Sequence, residues 1–372
     1  MAIHCKISFG HDGPRRAALL LLSLVVLSVS CTKEPGQETE KYPICWDVAT
    51  MDGYQGLPHD TKALIDDYAS LRNACTLMET HDAEKIGLFG SYTLDGVSMP
   101  AFEDVSLWWW NKENGNPYDD VTGSPSMWNY EGDDVYWVDG ADYVFKAYFP
   151  KSLVTLQPGS NSSRLFTVYD SQSSQYDLLV AHKALTATRE HPVILNFMHA
   201  LAALKFNFQF QSEGVTDQIT ECWLENVQPN GFYTSSTLNF TDSILWPAST
   251  ADPVGAAMYY WKPVNPLYVT SSAVATAYSS YADDGNGNLY TGNHGWLMVI
   301  PQTISGPESL QLCFRTRTGG DVVYRAGIPA VELLPGNRYT YLVKISSTQI
   351  ELTLTIADWN ERDSSYEIDF NK

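Results

Sequence analysis

Hydrophobic and polar residues alternate most clearly near the middle of the chain, in the stretch LKFNFQF. The apolar members of this alternation are Leu204, Phe206, Phe208 and Phe210. A period of two residues places them on one face of an extended chain, so the pattern predicts a half-buried β-strand. The preceding stretch begins at Val193 and includes HALAALK, which has two interpretations: it continues the strand, or it forms one or two helical turns.

Two hairpins are predicted towards the C-terminus. One surrounds Gly319-Gly320, and the other has strict alternation on both sides of a Ser-Ser-Thr turn. The alternating residues of the second hairpin are Tyr339, Tyr341, Val343 and Ile345 before the turn, and Ile350, Leu352, Leu354 and Ile356 after it. Alternating runs joined by short turns of small residues are typical of antiparallel strand pairs.

The first half of the chain also reads as strands. The segments PICWDV and Lys85–Tyr92 are apolar runs of strand length, and a turn at Asp139-Gly140 separates two further runs. One helix is predicted, over residues 61–78, because apolar side chains recur there at helical spacing.

Composition supports an all-β protein with an acidic surface. The 372 residues include 22 Tyr, 11 Trp, 25 Gly and 19 Pro, which is typical of many short strands joined by turns. The length predicts two domains, 42–190 and 191–372, separated at the polar, proline-containing segment TREHP. The net charge of -20 repels phosphate backbones, so we expect no nucleic-acid partner.

The N-terminus has the pattern of an export signal. Basic residues precede a short apolar run and Cys31, and the run is too short to span a bilayer. We expect residues 1–30 to be a lipoprotein signal peptide, Cys31 to be acylated and residues 31–41 to be a tether. The alternative is ordinary secretion with an incidental cysteine.

The remaining cysteines leave two alternatives open. Disulfides between Cys45 and Cys75 and between Cys222 and Cys313 would each lie within one predicted domain. Four buried free thiols are the other interpretation.

No catalytic, metal-binding or cofactor-binding motif is present, so we expect a non-enzymatic protein without a cofactor. The segment that begins at Asp284 starts like a calcium loop but has Leu289 and Gly295 at the sixth and twelfth positions. His199 is interpreted as a hydrogen-bonded structural histidine. Adjacent acids such as Asp133-Asp134 are interpreted as solvated turn residues.

Five tryptophans between residues 108 and 137 have two interpretations. They are Trp108, Trp109, Trp110, Trp128 and Trp137. Aromatic rings with one polar edge suit sugar binding, but side chains on a strand alternate between its two faces. The sequence therefore favours core packing over a sugar-stacking platform.

Several segments, in the same order, resemble fimbrillin-family lipoproteins of the Bacteroidetes. They are IGLFGSYTLDG, WNYE, YWVDGADYVFKAYFP, DLLVAHK, the central FMHALAALKFNFQF, VIPQTI, LLPGNRYTYLVKI and the closing IADWN. The resemblance implies two tandem transthyretin-like seven-stranded β-sandwich domains and a structural or adhesive role in type V fimbriae at the cell surface. It also implies fimbrial subunits as partners, in a homopolymer or heteropolymer, and attachment to the outer membrane through lipid. A host or bacterial surface ligand is a further implied partner.

The resemblance further implies assembly by strand exchange. A trypsin-like protease would cut after an arginine near the N-terminus, and Arg72 is the first arginine after Cys31. The candidate donor strand contains Tyr366, Ile368 and Phe370. The alternative function is a surface glycan-binding lipoprotein that does not polymerise, and the third is a glycoside hydrolase with two carboxylates across a groove.

Overall fold

The structure is a computed structural model, and it confirms the all-β prediction. It describes residues 42–50, 68–76, 83–110, 127–171, 175–187, 192–228, 230–236, 259–261, 266–276, 296–347, 349–358 and 366–369. Almost every element in these ranges is a β-strand. No helix in them has the length and apolar character needed to cross a membrane.

The first half of the chain contributes eight strands and one short helix. They are β1 (Trp46–Thr50), α1 (Tyr68–Ala74), β2 (Ile86–Leu94), β3 (Val97–Trp110), β4 (Met127–Tyr130), β5 (Asp142–Phe149), β6 (Arg164–Asp170), β7 (Leu179–Thr186) and β8 (Val193–His199). The helix α1 lies within the predicted range 61–78, whose first seven and last two residues are outside the described part.

Seven of these strands form one curved sheet in the order β1-β8-β7-β5-β2-β3-β4. The segment before β1 also approaches the chain that follows β4, because Ile44 N–H donates to the Val135 carbonyl over 2.8 Å. Trp137 N–H likewise donates to the Tyr42 carbonyl over 2.9 Å. The sheet therefore curls around its apolar face, and the N-terminal segment lies at the seam.

The central stretch is two strands, and the helical interpretation of HALAALK is wrong. β8 belongs to the first sheet, and β9 (Ala202–Phe210) belongs to a sheet of the second half. Ala200 and Leu201, both 0 % exposed, join the two strands. Continuous burial and strand pairing on both sides outweigh the helical preference of these residues. The chain changes sheets here, while the predicted division at residue 190 stays a prediction.

The second half contributes the remaining strands. They are β10 (Thr216–Glu225), β11 (Asn230–Ser236), β12 (Tyr259–Trp261), β13 (Leu267–Thr270), β14 (Ala275–Thr276), β15 (Leu297–Val299), β16 (Gln302–Ile304), β17 (Gln311–Thr316), β18 (Tyr324–Gly327), β19 (Val331–Leu333), β20 (Asn337–Ile345), β21 (Ile350–Asp358) and β22 (Tyr366–Asp369).

Two sheets of the second half enclose a shared core. One has the order β12-β10-β17-β18 with β13 paired to β10, and the other has the order β14-β9-β20-β21-β22 with β15 paired to β9. Both predicted hairpins are confirmed, as β17 pairs with β18 and β20 pairs with β21. Phe208 on β9 meets Phe314 on β17 edge to face, with ring centroids 5.4 Å apart. The core thus lies between the two sheets.

A third cluster of buried residues connects the two halves. Tyr148 and Val180 of the first sheet pack with Leu201, Met298 and Ile300 of the second half. In addition, β6 pairs with β11 over seven residues, although these strands come from different halves of the chain. The halves therefore share both a hydrophobic cluster and a β-ladder.

Buried polar side chains form hydrogen bonds at this junction. The Gln175 amide donates to the Met298 carbonyl over 3.1 Å and accepts from the Met298 N–H over 2.9 Å. The Nδ1 atom of His199 lies 3.0 Å from the Asp177 carboxylate, with both side chains buried. His199 is therefore a hydrogen-bonded structural residue, as the sequence indicated.

Neither interpretation of the four cysteines holds in full. Cys75, Cys222 and Cys313 are buried free thiols, whereas Cys45 is disulfide-bonded. The pairings of Cys45 with Cys75 and of Cys222 with Cys313 are therefore wrong. Cys222 faces the core while Cys313, opposite Trp223, lies on the other face of the same sheet, so their side chains point apart.

Lys146 is a buried cation in the first sheet, and it predicts a pH effect. It is 3 % exposed on β5, opposite Phe89 and His182. Burial lowers the pKa of its ammonium group from 10.5 to about 8. Between these values the unfolded chain binds more protons than the folded one, so this group makes stability rise with pH.

We expect the free energy of unfolding of Lys146→Met, relative to that of the parent protein, to fall by about 3 kcal/mol as the pH rises from about 8 to 10.5. Over this range the parent protein gains stability because its folded state no longer buries a charged ammonium group. Urea unfolding of both proteins at several pH values across this range measures the two free energies of unfolding. Subtracting one from the other removes the contributions of all other titrating groups, which the two proteins share. A constant difference between the two proteins at all pH values would contradict the assignment.

Candidate assembly site

The candidate site is the place that β1 occupies in the first sheet. Side chains alternate along residues 44–48, with Ile44, Trp46 and Val48 at 1 %, 5 % and 2 % exposure. The intervening Cys45 and Asp47 are half-buried. This alternation presents one apolar face to the core and explains why a short N-terminal segment forms a strand here.

Main-chain hydrogen bonds hold β1 on one side and the segment that leads into it on the other. β1 runs parallel to β8, with Trp46 opposite Val193 and Thr50 opposite Phe197. On its other side, the segment that leads into β1 bonds to Val135 and Trp137. Removing the N-terminal segment would therefore leave a groove between β8 and residues 135–137.

Aromatic rings form the floor of this groove. The indole of Trp46 meets Phe145 edge to face at 4.9 Å and Phe102 at 5.3 Å. A Cβ atom on Gly90 would lie 2.7 Å from Phe102 and 2.8 Å from Phe145, so glycine lets these rings pack over β2. The Trp46 indole nitrogen is buried without a hydrogen-bond partner. Shape and apolar burial, rather than polar contacts, hold this side chain.

The predicted processing residue lies on the connection after β1. Arg72 is half-buried in α1, and its guanidinium group lies 5.4 Å from the centroid of the Trp109 ring. Thr76 Oγ1 donates to the Arg72 carbonyl over 2.8 Å, and Leu71 and Cys75 are 0 % exposed. Cleavage after Arg72 would require local opening of this turn, because proteases bind extended chain.

The candidate donor strand lies at a sheet edge. β22 pairs only with β21 among the described residues, with Tyr366 opposite Ile356 and Ile368 opposite Leu354. Phe370 is outside the described part, as is the predicted lipidation site Cys31. The structure does not bring β22 to β1, and within one chain they lie in different sheets.

The tryptophans pack mainly into the first core. Trp128 and Trp137 are 5 % and 9 % exposed. Trp109 is half-buried and meets Trp128 edge to face at 5.6 Å, and Trp108 is also half-buried. The Trp110 side chain is outside the described part. The core-packing interpretation is therefore confirmed for Trp128 and Trp137.

Sequence reasoning missed the seam between the N-terminal segment and residues 135–137. The structure shows only an isolated bridge there, between Pro43 and Tyr136. The available signal was the continuous apolar run VYWV at residues 135–138, which the sequence prediction assigned to a strand that ends at the Asp139-Gly140 turn.

Fimbrial proteins are among the solved structures that match this chain. A fimbrial protein from Bacteroides vulgatus aligns with a TM-score of 0.56 and 14% identity, covering 86% of this chain and 99% of that chain. A fimbrial assembly protein from Parabacteroides distasonis has a TM-score of 0.38 and 11% identity, covering 85% and 95% of the two chains. The tip fimbrial protein Mfa3 from Porphyromonas gingivalis has a TM-score of 0.35 and 10% identity, covering 74% and 94%.

No curated protein matches the chain in sequence. The sequence model described as fimbrillin-like matches residues 79–359, which include most of both halves and begin just after the segment that carries Arg72. The chain therefore belongs to the fimbrillin-like family.

Proposed function

We propose that the chain is a structural or adhesive subunit of type V fimbriae, exported as a lipoprotein acylated at Cys31 and assembled by protease-triggered strand exchange. It acts at the cell surface without enzymatic activity, and its partners are other fimbrial subunits. The observation that carries the proposal is the position of β1, an N-terminal strand whose apolar face fills a groove in the first sheet.

The groove is suited to strand exchange because an incoming strand can replace both the main-chain hydrogen bonds and the apolar packing of β1. Main-chain groups of β8 would form a ladder with it, and alternating apolar side chains would fill the space of Ile44, Trp46 and Val48. Restoring this burial supplies the driving force for assembly.

The C-terminal strand has a suitable pattern. Tyr366, Ile368 and Phe370 alternate with polar residues. β22 runs parallel to β9 within its sheet, because it is antiparallel to β21, which is antiparallel to β20. β1 runs parallel to β8, the strand that leads into β9. A C-terminal strand that takes the place of β1 in the next subunit would have to run parallel to β8, as β1 does.

Limited digestion with an arginine-specific trypsin-like protease tests the proposal. We expect one early cut after Arg72, identified by N-terminal sequencing, followed by a ladder of multimers on an unboiled denaturing gel. Arg72→Ala should abolish the cut and the ladder. Arg164→Ala removes an exposed arginine from β6 and should leave both unchanged.

The two parts of the proposal fail separately. Unchanged processing of Arg72→Ala would refute Arg72 as the cleavage site. Strand exchange would then have to be triggered by a cut at another residue. Cleavage without multimers would refute strand exchange. Ile368→Glu should permit cleavage but prevent the ladder, because a charged side chain cannot fill an apolar groove.

A further inference from the structure

One edge of the first sheet is open beside a cleft. β3 pairs with β2 along most of its length, but β4 covers only Leu107–Trp110 on the other side. Among the described residues, no strand pairs with that side of residues 97–105. Strand edges of this kind present unpaired main-chain donors and acceptors to a partner.

The open edge carries both apolar and acidic residues. Val97 and Met99 are 60 % and 49 % exposed. Pro100 lacks an N–H, and the carbonyl of Asp104 already accepts from the Lys151 ammonium group. The edge therefore offers an interrupted set of main-chain groups, which restricts the partners that can pair with it.

A cleft of ≈ 330 Å³ lies between this edge and the turn after β4. Phe102 and Tyr130 form part of its wall, with ring centroids 5.4 Å apart, and the Tyr130 hydroxyl accepts from the Val135 N–H over 2.8 Å. Burial raises the pKa of Tyr130, and the negative charge of Asp134 adds to the rise. The wall is therefore aromatic and set in acidic surroundings.

The charged residues of the cleft are all acidic. Glu103, Glu131 and Asp133 line it and are exposed, and no lysine, arginine or histidine does. None of the three carboxylates forms an ion pair with a described residue. No group of three His, Cys, Asp or Glu side chains in the described ranges is arranged to hold a metal ion. The carboxylates are spread along the cleft, which suits several cationic groups of one extended ligand.

The acidic charge of the cleft indicates which kind of partner would bind there. A second copy of this chain has a net charge of -20 and would bring acids against acids. An extended segment with basic side chains at every second position would place them on one face, over the carboxylates. Its main chain would pair with the open edge at the same time.

We propose that the open edge of β3 and its cleft bind an extended segment of another protein that carries lysine or arginine at alternate positions. This interaction surface is separate from the β1 groove and does not depend on strand exchange. The carboxylates supply attraction and register, while the edge of β3 supplies main-chain hydrogen bonds.

Titration calorimetry with a short, capped peptide that alternates lysine and valine tests the proposal. The variant E103Q/E131Q/D133N should bind the peptide about tenfold more weakly and with less dependence on salt. The variant E213Q/E308Q/E332Q removes the same charge from exposed positions outside the cleft and should bind as the unmodified protein does.

Two N-methylated peptides test the main-chain pairing. Methyl groups on alternate amides should abolish binding when those amides face β3, and should have little effect in the other register. Equal weakening by both charge variants would overturn the proposal, as it would show attraction to net charge alone. Equal binding of both methylated peptides, or no binding of the lysine-valine peptide, would also overturn it.

Discussion

Replacing Trp46 by alanine is expected to lower the free energy of unfolding by about 3 to 5 kcal/mol. Trp46 is 5 % exposed and lies against Phe102 and Phe145 in the first core. Alanine would leave a cavity that the rigid rings cannot fill. Urea unfolding of the uncleaved protein measures the loss, and amide exchange should show earlier opening of β1 than of β8.

Trp46→Phe is the matched control. It keeps an aromatic ring and removes an indole nitrogen that is buried without a hydrogen-bond partner. We expect a loss below about 1.5 kcal/mol, because the smaller ring leaves less empty space and no polar group is left unpaired. A loss below about 1 kcal/mol for Trp46→Ala would show that β1 is not part of the cooperative core. The proposal that β1 fills an apolar groove would then be wrong.

Replacing Asp177 by alanine is expected to lower the free energy of unfolding by about 3 kcal/mol, because a buried side chain loses a hydrogen-bond partner. Its carboxylate lies 3.0 Å from His199 Nδ1, and both side chains are buried. The next residue, Leu178, accepts from the Ala200 N–H over 2.8 Å, so the pair reinforces the chain where β8 ends. Alanine would leave the imidazole buried with a lost partner.

Asp133→Ala is the control for the loss of an aspartate. Asp133 is exposed in the bend after β4 in the same half, so we expect a change within about 0.5 kcal/mol. Urea unfolding of both variants measures the difference. If Asp177→Ala stays within about 1 kcal/mol of the parent protein, the pair does not stabilise the junction.

The spacing of apolar and polar residues predicted those strands and helices that have one buried and one exposed face. The residues of β20 and β21 that alternate in the sequence, such as Tyr341 and Leu354, are buried in the core. The same holds for Phe206 and Phe208 on β9. A strand with one buried and one exposed face carries its own register in the sequence. The apolar spacing that predicted α1 worked for the corresponding reason, because Leu71 and Cys75 share its buried face.

Patterning failed where both sides of the chain are buried. From His199 to Leu204 the side chains are covered on all sides, so no alternation distinguishes a strand from a helix. The sequence left the disulfides undecided because pairing requires the direction of each side chain, and that depends on which sheet face it occupies.

The sequence by itself determined that this is an acidic, all-β protein of the fimbrillin-like family, since composition, alternation and segment order are local properties. Only the tertiary structure decided that the N-terminal segment lies between β8 and residues 135–137, that β6 and β11 join the two halves, and that an acidic cleft borders an open strand edge. These features bring together residues far apart in the chain, and their pairing depends on which strand edges remain free after the local strands have formed.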